Sequence, residues 1–205
     1  MAIIEKQNIL EADYFDLEYV NSEGVRCWIN HNKCIVKQVG AGKDMVFIFA
    51  VKFYTSHPNL LEEEYTRYLF ALQIKRDIVS GQLICSTNTA ALLASYIVQG
   101  EFMPPPIPSN VSFYVCLSSH LIYYNAPQPF LLLPAEIGDF LDDEYIDNSY
   151  LRHLKLVNQP NEEILNKIME FHKTHIGMSA TEADFHLLDT ARKIEYYGVK
   201  MHLAK

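Results

Sequence analysis

Residues 100–134 constrain the fold of this chain more than any other segment, because they cannot form a long helix. The segment holds seven of the nine prolines, and Glu101 is its only acidic or basic residue, whereas 20% of the whole chain is charged. Proline lacks the backbone donor and clashes with the preceding helical turn. Residues 111–117 predict at most a short strand. Structureless insertions this long are uncommon inside compact domains, so the chain divides into two flanks around an atypical segment.

The composition of the whole chain excludes several classes of protein. The formal net charge of −8 at pH 7 argues against general nucleic-acid binding, since neutralising phosphates needs a basic surface. The N-terminus lacks the basic start and apolar run of a signal peptide, and no run of about 18 apolar residues predicts a spanning helix. Cys27, Cys34, Cys85 and Cys116 show no disulfide-framework spacing. We interpret them as reduced thiols of an intracellular protein.

The first 54 residues are predicted to be mostly strand. Residues 17–20 and 25–29 are short apolar runs joined by residues 21–24, whose turn chemistry predicts a hairpin. Residues 45–54 (MVFIFAVKFY) form a β-prone run whose length suits a half-buried strand.

Two helices are predicted between this strand part and the insertion. In the first helix, apolar residues recur near helical spacing. Three acids at residues 62–64 are predicted to lie in its first turn, where the helix dipole favours negative charge. Gly81 can supply a left-handed cap at its C-terminus. The second covers residues 87–98, with Ser86 or Thr87 as its N-cap.

Two more helices are predicted after the insertion. The third covers residues 161–175 and has four inward apolar side chains, Ile164, Leu165, Ile168 and Phe171. Residues 179–182 form a capping box that starts the fourth helix, which is predicted to run to Tyr197 and stop at Gly198. A strand-rich part followed by four helices is an α+β arrangement in two lobes.

No constellation of side chains predicts catalysis, a cofactor or a metal. Cys27, His31 and Cys34 have CxxxHxxC spacing, but nothing nearby clearly supplies the fourth ligand of a zinc site. His172 and His175 lie one turn apart on a predicted helix without a HExxH motif, so we interpret them as a solvated or core-edge pair. We therefore predict no catalytic, cofactor-binding or metal-binding residue.

Four lysines, Lys33, Lys37, Lys43 and Lys52, make the end of the strand lobe mildly basic. A membrane-surface role and ordinary solubility explain these lysines about equally well, so both interpretations stay open.

Several phrases of the sequence together resemble the FERM domain family. Residues 28–39 (WINHNKCIVKQV) are similar to its first signature, with Trp, Lys, Ile and Gln at fixed offsets, and they lead into residues 51–54 (VKFY) as that signature does. The family usually continues with an acidic or small polar residue, where this chain has His57. Residues 64–75 resemble the first long helix of the helical FERM lobe.

The second FERM signature is matched in spacing near the end of the chain. Leu187 and Ile194 depart mildly from its usual aromatic and Leu/Met positions, and the matching residues are His172, Glu182, Ala183, Leu188, Ala191, Tyr197 and Gly198. Residues 135–140 (AEIGDF) together with residues 172–177 (HKTHIG) look closest to the FERM domains of FARP-type Rho exchange factors and their relatives.

The resemblance implies a ubiquitin-like first lobe and an acyl-CoA-binding-protein-like helical second lobe. It divides the chain into a partial ubiquitin-like lobe (1–56), a first part of the helical lobe (57–99), the Pro-rich insertion (100–134), a second part of the helical lobe (135–199) and the start of a PH-like third lobe (200–205). The chain is then expected to be a fragment, with half of the first lobe and all of the second. The core residues are predicted to include Trp28, Phe53, Tyr68, Leu72, Leu188 and Tyr197.

The resemblance also implies a function. FERM domains are non-catalytic adaptors that link membrane-protein cytoplasmic tails and phosphoinositides to cytoskeletal proteins at the cell cortex. Because the family's usual binding lobes are missing or truncated here, no binding residue is transferred to this chain. The alternative is an N-terminal fragment of a larger signalling enzyme, a Rho exchange factor or a tyrosine phosphatase, whose activity lies outside these residues.

The insertion has two interpretations. Residues 105–108 are a short proline core that SH3- or WW-type domains could bind, although no Arg or Lys flanks it. The resemblance favours a retained intron or a gene-model error, because removing residues 100–134 joins Gln99 to Ala135 in an uninterrupted family sequence. Gly100-Glu101 can be encoded by GGTGAG, which contains a splice donor, and the codons of residues 130–135 can supply a pyrimidine tract and an acceptor.

We predict that the mature transcript lacks the codons between those for Gln99 and Ala135. Sequencing the message across this junction tests the prediction directly. A message that keeps these codons, together with protein made from it, would establish the Pro-rich segment as a genuine insertion.

Overall fold

The structure is a computed structural model that describes residues 4–5, 8–39, 47–100, 116–117, 120–121 and 137–199. Some predictions fall on residues outside these ranges. They concern Lys43, the start of the strand predicted at residues 45–54, and most of the insertion. Within residues 111–117, the structure describes only Cys116–Leu117 (β4), which pairs antiparallel with His120–Leu121 (β5).

Three strands form the sheet of the first lobe. They are β1 (Phe15–Val20), β2 (Arg26–Trp28) and β3 (Phe47–Val51), in the order β2-β1-β3 with both pairs antiparallel. The turn between β1 and β2 is organised by Asn21, whose backbone N–H donates to the carbonyl of Val25 at 2.9 Å and whose side-chain oxygen accepts from the N–H of Val25. The predicted hairpin is confirmed, and so is the next predicted strand over residues 47–51.

Besides the helical residues 4 and 5, five α-helices lie in the described residues. The short α1 (Ile35–Val39) was not predicted, and the four predicted helices are confirmed as α2 (Glu64–Val79), α3 (Thr87–Gln99), α4 (Glu162–Lys173) and α5 (Ala180–Ala191). Three 3₁₀ turns, Ala12–Tyr14, Pro58–Leu60 and Asn148–Leu151, lie before or between these elements. Helix α3 packs on α4 and α5, and α5 also packs on α2, so the chain has the α+β architecture that the sequence predicted.

Local side-chain caps start three of the four longer helices. Ser86 accepts from the N–H of Thr89 before α3, and Asn161 accepts from the N–H of Ile164 before α4. Ser179 and Glu182 form the predicted reciprocal capping box of α5. These bonds satisfy amide groups that have no partner inside the helix, which is why the sequence alone located these three N-termini.

The start of α2 differs from the sequence prediction. The helix begins at Glu64, so Glu62 and Glu63 precede it rather than lie in its first turn. Their backbone N–H groups donate to the carboxylate of Glu11, at 3.2 and 2.9 Å. A side chain about 50 positions earlier therefore caps α2, and no local pattern could reveal it.

The end of α5 also differs from the prediction, because the helix stops at Ala191 instead of Tyr197. The chain continues as tight turns in which the N–H of Ile194 donates to Ala191 and the N–H of Tyr197 donates to Ile194. These turns place the ring of Tyr197 edge-on against Tyr54, with centroids 5.0 Å apart. Gly198 ends the segment as predicted, with a left-handed φ of 72°.

The predicted core is correct in part. Leu72 and Leu188 are buried, and Trp28, Tyr68 and Tyr197 are partly buried. Phe53 was wrongly predicted, since it is 60% exposed. The cause lies at the end of β3, where the N–H groups of Lys52 and Phe53 both donate to the carbonyl of Tyr14. Two successive residues facing one partner break the alternation of a strand, and Phe53 turns outward.

The two lobes meet on α2 through an apolar contact. Phe70 is fully buried, and its ring lies edge-on to Tyr14 at 5.5 Å, Phe15 at 5.8 Å and Tyr54 at 6.1 Å between centroids. Such edge-to-face pairs add to the gain from area burial. The side chain of Phe70 thus packs against both the sheet and the segment that follows the sheet.

Polar side chains complete this lobe interface. Glu18 of β1 is 2% exposed and accepts from Arg76 of α2 at 3.1 Å. The side chain of Gln73 accepts from the N–H of Val51 at 3.3 Å, and Tyr54 donates to Asp77 at 3.1 Å. Because buried polar groups are costly unless they are paired, these bonds fix how α2 lies against the sheet.

Substituting Gly198 by alanine is expected to destabilise the protein strongly. The left-handed backbone alone costs about 1–2 kcal/mol for a residue with a Cβ, and a Cβ at this position would lie 2.9 Å from Cγ of Tyr54. Gly24→Ala is the matched control, because Gly24 also has a positive φ but has no atom within 4 Å of that position. Denaturant unfolding is expected to show a larger loss for Gly198→Ala. Equal losses in the two variants would contradict the packing of Gly198 on Tyr54.

Candidate functional site

The end of the strand lobe carries the basic side chains that the sequence singled out. Lys33 is exposed just before the short helix α1 and Lys37 is exposed within it. On the same helix, Ile35 and Val36 are 45% and 49% exposed. We call residues 33–37 the α1 surface. It presents two cations and two apolar side chains together, and no acidic residue lies between Arg26 and Val39.

Lys52 differs from the other lysines because its charge is paired. Its Nζ lies 2.6 Å from Oδ2 of Asp16, and 5.5 Å from the ring centroids of both Trp28 and Phe53. Cation–π contacts of this kind stabilise the ammonium group. The structure therefore places Lys52 in a local ion pair, not among the open cations of the α1 surface.

Asp16 organises this cluster and was missed in the sequence. It is buried, and its second oxygen accepts from Nε2 of His31 at 2.8 Å and from the N–H of Leu17. Burial alone would raise the pKa of Asp16, but the hydrogen bonds from Lys52, Leu17 and His31 hold it below the ordinary 3.8. Its alternation with Phe15 and Leu17 is typical of a solvent-facing strand position, and only the tertiary contacts show that it is covered.

The three residues with CxxxHxxC spacing do not form a metal centre in the structure. His31 is engaged with Asp16, the thiol of Cys27 donates to the carbonyl of Val25, and Cys34 is exposed. Among the described residues, no three His, Cys, Asp or Glu side chains come together in a group that could hold a metal ion.

His172 is part of the core, so its interpretation as a solvated or core-edge residue was wrong. It is fully buried, its Nε2 donates to the carbonyl of Gly138 at 2.7 Å, and Tyr150 donates to its Nδ1 at 3.0 Å. Phe140 packs edge-on against the imidazole. The histidine therefore ties α4 to the chain that returns after the insertion, and its burial lowers its pKa.

His175 is also buried, and it pairs with Ser95 of α3 at 2.8 Å. The Ser95 hydroxyl donates to the carbonyl of Leu92, so Nε2 of His175 is the donor to Ser95. A serine and a histidine in contact resemble a nucleophile and its base, but Ser95 is fully buried and its proton is committed to the backbone. This pair is a packing contact between α3 and α4.

His175 is one of three stacked rings centred on Tyr96. The ring of Tyr96 stacks on His175 at 4.5 Å and on His186 at 5.7 Å between centroids, with interplanar angles of 20° and 18°. Burial is the main cause that lowers the pKa of His175 to about 4, and the neighbouring His172 and His186 lower it further. Both buried histidines therefore fold in the neutral form.

Comparison with known proteins agrees with this architecture. The family model described as the FERM central domain matches residues 56–202, and the model of the FERM N-terminal domain matches residues 2–40. The mouse (Mus musculus) protein "FERM, ARHGEF and pleckstrin domain-containing protein 2" is 38% identical over 198 residues, which cover 96% of this chain and 15% of that protein. This chain belongs to the FERM domain family. The resemblance inferred from the two signatures is confirmed.

A second relative of this FERM chain is the human (Homo sapiens) "Tyrosine-protein phosphatase non-receptor type 4". It is 35% identical over 204 residues, which cover 99% of this chain and 18% of that protein. The chain thus spans less than a quarter of the length of either relative.

The fold of this FERM chain also resembles a solved structure, the FERM and C-terminal domain complex of Drosophila Merlin. The match has a TM-score of 0.66 and 21% sequence identity, and it covers 96% of this chain and 57% of that chain. At this level of identity the likeness concerns the fold alone.

The contribution of His175 to the stability of the FERM chain is expected to be lost in mild acid. The unfolded chain binds protons on His175 near its ordinary pKa of 6.5, whereas the folded chain does so only near pH 4, so stability is full above about pH 6.5 and falls as pH drops towards 4. Thermal unfolding between pH 7 and pH 4 measures this slope. His175→Gln is expected to flatten it, and an unchanged slope in this variant would contradict the assignment.

Proposed function

We propose that this chain is a non-catalytic FERM interaction module that links plasma-membrane proteins or lipids to the cortical cytoskeleton. The observation that carries the proposal is the match to two adjacent FERM family models. The lobe interface on Phe70 and Arg76 supports it, because an adaptor has to hold separate binding surfaces in a fixed geometry. The proposed partners are membrane-protein cytoplasmic tails and cytoskeletal proteins, and the proposed location is the cytoplasmic side of the cell cortex.

The α1 surface is the part of the described chain that best fits a membrane-facing role. Lys33 and Lys37 are exposed, and the salt-bridge geometry of the described residues assigns neither of them an acidic partner. Juxtamembrane basic residues are attracted to anionic lipid with about 1 kcal/mol each, and apolar neighbours such as Ile35 and Val36 add contact with the interfacial region. None of the helices in the described residues is long and apolar enough to cross a bilayer.

We also propose that the chain divides at residues 56 and 57 and that residues 100–134 are dispensable for the helical lobe. The two flanks of this segment lie in contact, since the side-chain nitrogen of Gln99 donates to Asp139 at 2.6 Å and to the carbonyl of Met178 at 2.9 Å. Asp139 also accepts from the N–H of Gly177. These bonds join the end of α3 to the returning chain, which supports a direct connection between them.

The second candidate function is that of a signalling enzyme whose activity lies outside these residues. The names of the two relatives favour it. The name of the mouse relative includes an exchange-factor (ARHGEF) domain, and the human relative is named as a tyrosine phosphatase. Sequencing the complete transcript separates the candidates. A downstream region that encodes an exchange factor or a phosphatase would support the signalling-enzyme hypothesis. A complete transcript without such a region would support the non-catalytic interaction module.

Reversing the charge of the α1 surface is expected to weaken membrane binding. The Lys33→Glu/Lys37→Glu variant is predicted to bind vesicles containing phosphatidylserine at least about tenfold more weakly than the unaltered chain, as measured by co-sedimentation. Arg152→Glu/Lys155→Glu is the matched control, because both residues are exposed on the helical lobe and the change in net charge is the same. Equal binding by the two variants, or no binding by the unaltered chain, would contradict a lipid-facing α1 surface.

A further inference from the structure

Helix α1 is not held in place by the hydrophobic core. All five of its residues lie in the described part of the chain, and none of them is buried. A helix this short gains too few backbone hydrogen bonds to offset the cost of starting a turn, so it is unstable in water unless other contacts hold it. The position of α1 therefore depends mainly on polar contacts.

The side chain of Gln38, near the end of α1, supplies such contacts. Its Oε1 accepts from the N–H of Asn30 at 2.8 Å, and its Nε2 donates to the carbonyls of Asn30 and Lys33, both at 3.0 Å. An amide side chain has one acceptor oxygen and two N–H donors, so both functions of the group are used. We call these three hydrogen bonds the Gln38 clamp.

The other end of the Gln38 clamp is attached to the sheet. Ile29, the residue before Asn30, is buried, and its N–H donates to the carbonyl of Leu17 in β1 at 2.9 Å. On the other side of Asn30, the ring of His31 is hydrogen-bonded to the buried Asp16 of β1 at 2.8 Å. The chain around Asn30 is thus fixed to β1, and the clamp extends this fixed position to α1.

The Gln38 clamp keeps the members of the α1 surface together. Lys33 accepts one bond of the clamp through its carbonyl, and Lys37 directly precedes Gln38 in the chain. The exposed side chains of Ile35 and Val36 lie between the two lysines in the sequence. Without the clamp, a ligand that contacts all four side chains would have to order the segment first, and ordering a flexible segment subtracts from the affinity.

We propose that Gln38 is the positioning residue of the α1 surface, which it holds as a preformed face for an anionic lipid interface. The inference rests on the membrane-facing role proposed above, and it adds the residue that shapes the surface and the class of its ligand. Lys33 and Lys37 contact negatively charged headgroups, and Ile35 and Val36 enter the boundary between headgroups and acyl chains. A soluble anion offers no partner for these two apolar side chains, whereas the interface of a bilayer does.

The test compares the 205-residue chain with its Gln38→Ala variant in co-sedimentation with phosphatidylcholine vesicles that contain phosphatidylserine. The variant keeps every charge and every apolar side chain of residues 33–37. It is expected to bind about fivefold more weakly, the factor that one basic residue near an anionic surface contributes. Gln159→Ala is the matched control, because Gln159 is an exposed glutamine of the helical lobe, and it is expected to bind as the unaltered chain does. Equal binding by the two variants would overturn the proposal.

A double-mutant cycle shows whether Gln38 acts through the lysine to which it is bonded. Lys33→Gln removes one cation of the α1 surface, and Gln38→Ala is expected to weaken vesicle binding less in that variant than in the unaltered chain, because residues that act together are not additive. A general loss of folding would weaken binding equally in both backgrounds. Losses that add in full would therefore overturn the positioning role.

Inorganic phosphate is the probe for a soluble anion as the ligand. At equal ionic strength, phosphate is expected to release the chain from the vesicles no better than chloride does. Stronger competition by phosphate would assign the α1 surface to a soluble anion and would overturn the lipid interface as its ligand.

Amide hydrogen exchange of the chain without vesicles tests the clamp itself. The N–H of Asn30 donates to Gln38, and the N–H of Lys37 donates to the carbonyl of Cys34 within the clamped segment. Both are expected to exchange faster in Gln38→Ala, while the amides of α3 keep their rates, and unchanged exchange at Asn30 and Lys37 would overturn the clamp. An unaltered chain that does not bind the vesicles would contradict the membrane-facing role and this inference with it, whereas binding that Gln38→Ala leaves unchanged would contradict the inference alone.

Discussion

The arrangement of the whole molecule depends on the ring of Phe70. This side chain of α2 is fully buried, and Tyr14, Phe15 and Tyr54 of the strand lobe pack against it. The three strands described in the first lobe pack their apolar face against this helix of the second lobe. The two lobes therefore share α2 as part of their cores.

Apolar burial is not directional, and the orientation of the lobes comes from polar contacts. Glu18 with Arg76, Gln73 with the backbone of Val51, and Tyr54 with Asp77 cross the same interface. A buried ion pair contributes little net stability, because desolvation offsets much of the attraction, but breaking it on one side is costly. These contacts thus select one relative position of the lobes among those that Phe70 alone would permit.

The helical lobe uses buried ionisable groups in two opposite ways. Burial is the main cause that lowers the pKa of both His172 and His175, which makes acid unfavourable. Burial has the opposite effect on Asp184, whose pKa it raises to about 7. Over the pH range between about 4 and 7 the two shifts therefore change the stability of the FERM chain in opposite directions.

Much of the local structure could be predicted from neighbouring residues alone. The caps at Ser86, Asn161 and Ser179, the turn after β1 and the left-handed Gly81 each depend on atoms a few positions apart. The family could be recognised for the same reason, because its two signatures are short runs with fixed spacing. These local features were enough to predict the α+β class and the approximate positions of the four longer helices.

The tertiary structure decided which side chains are buried and which groups meet. Phe53 points outward because both Lys52 and Phe53 bond Tyr14, and α2 is capped by the distant Glu11. Asp16 looks solvent-facing in the sequence but lies beneath Lys52 and His31. Sequence patterns record how a residue relates to its own strand or helix, whereas burial and charge depend on surfaces contributed by residues far away in the chain.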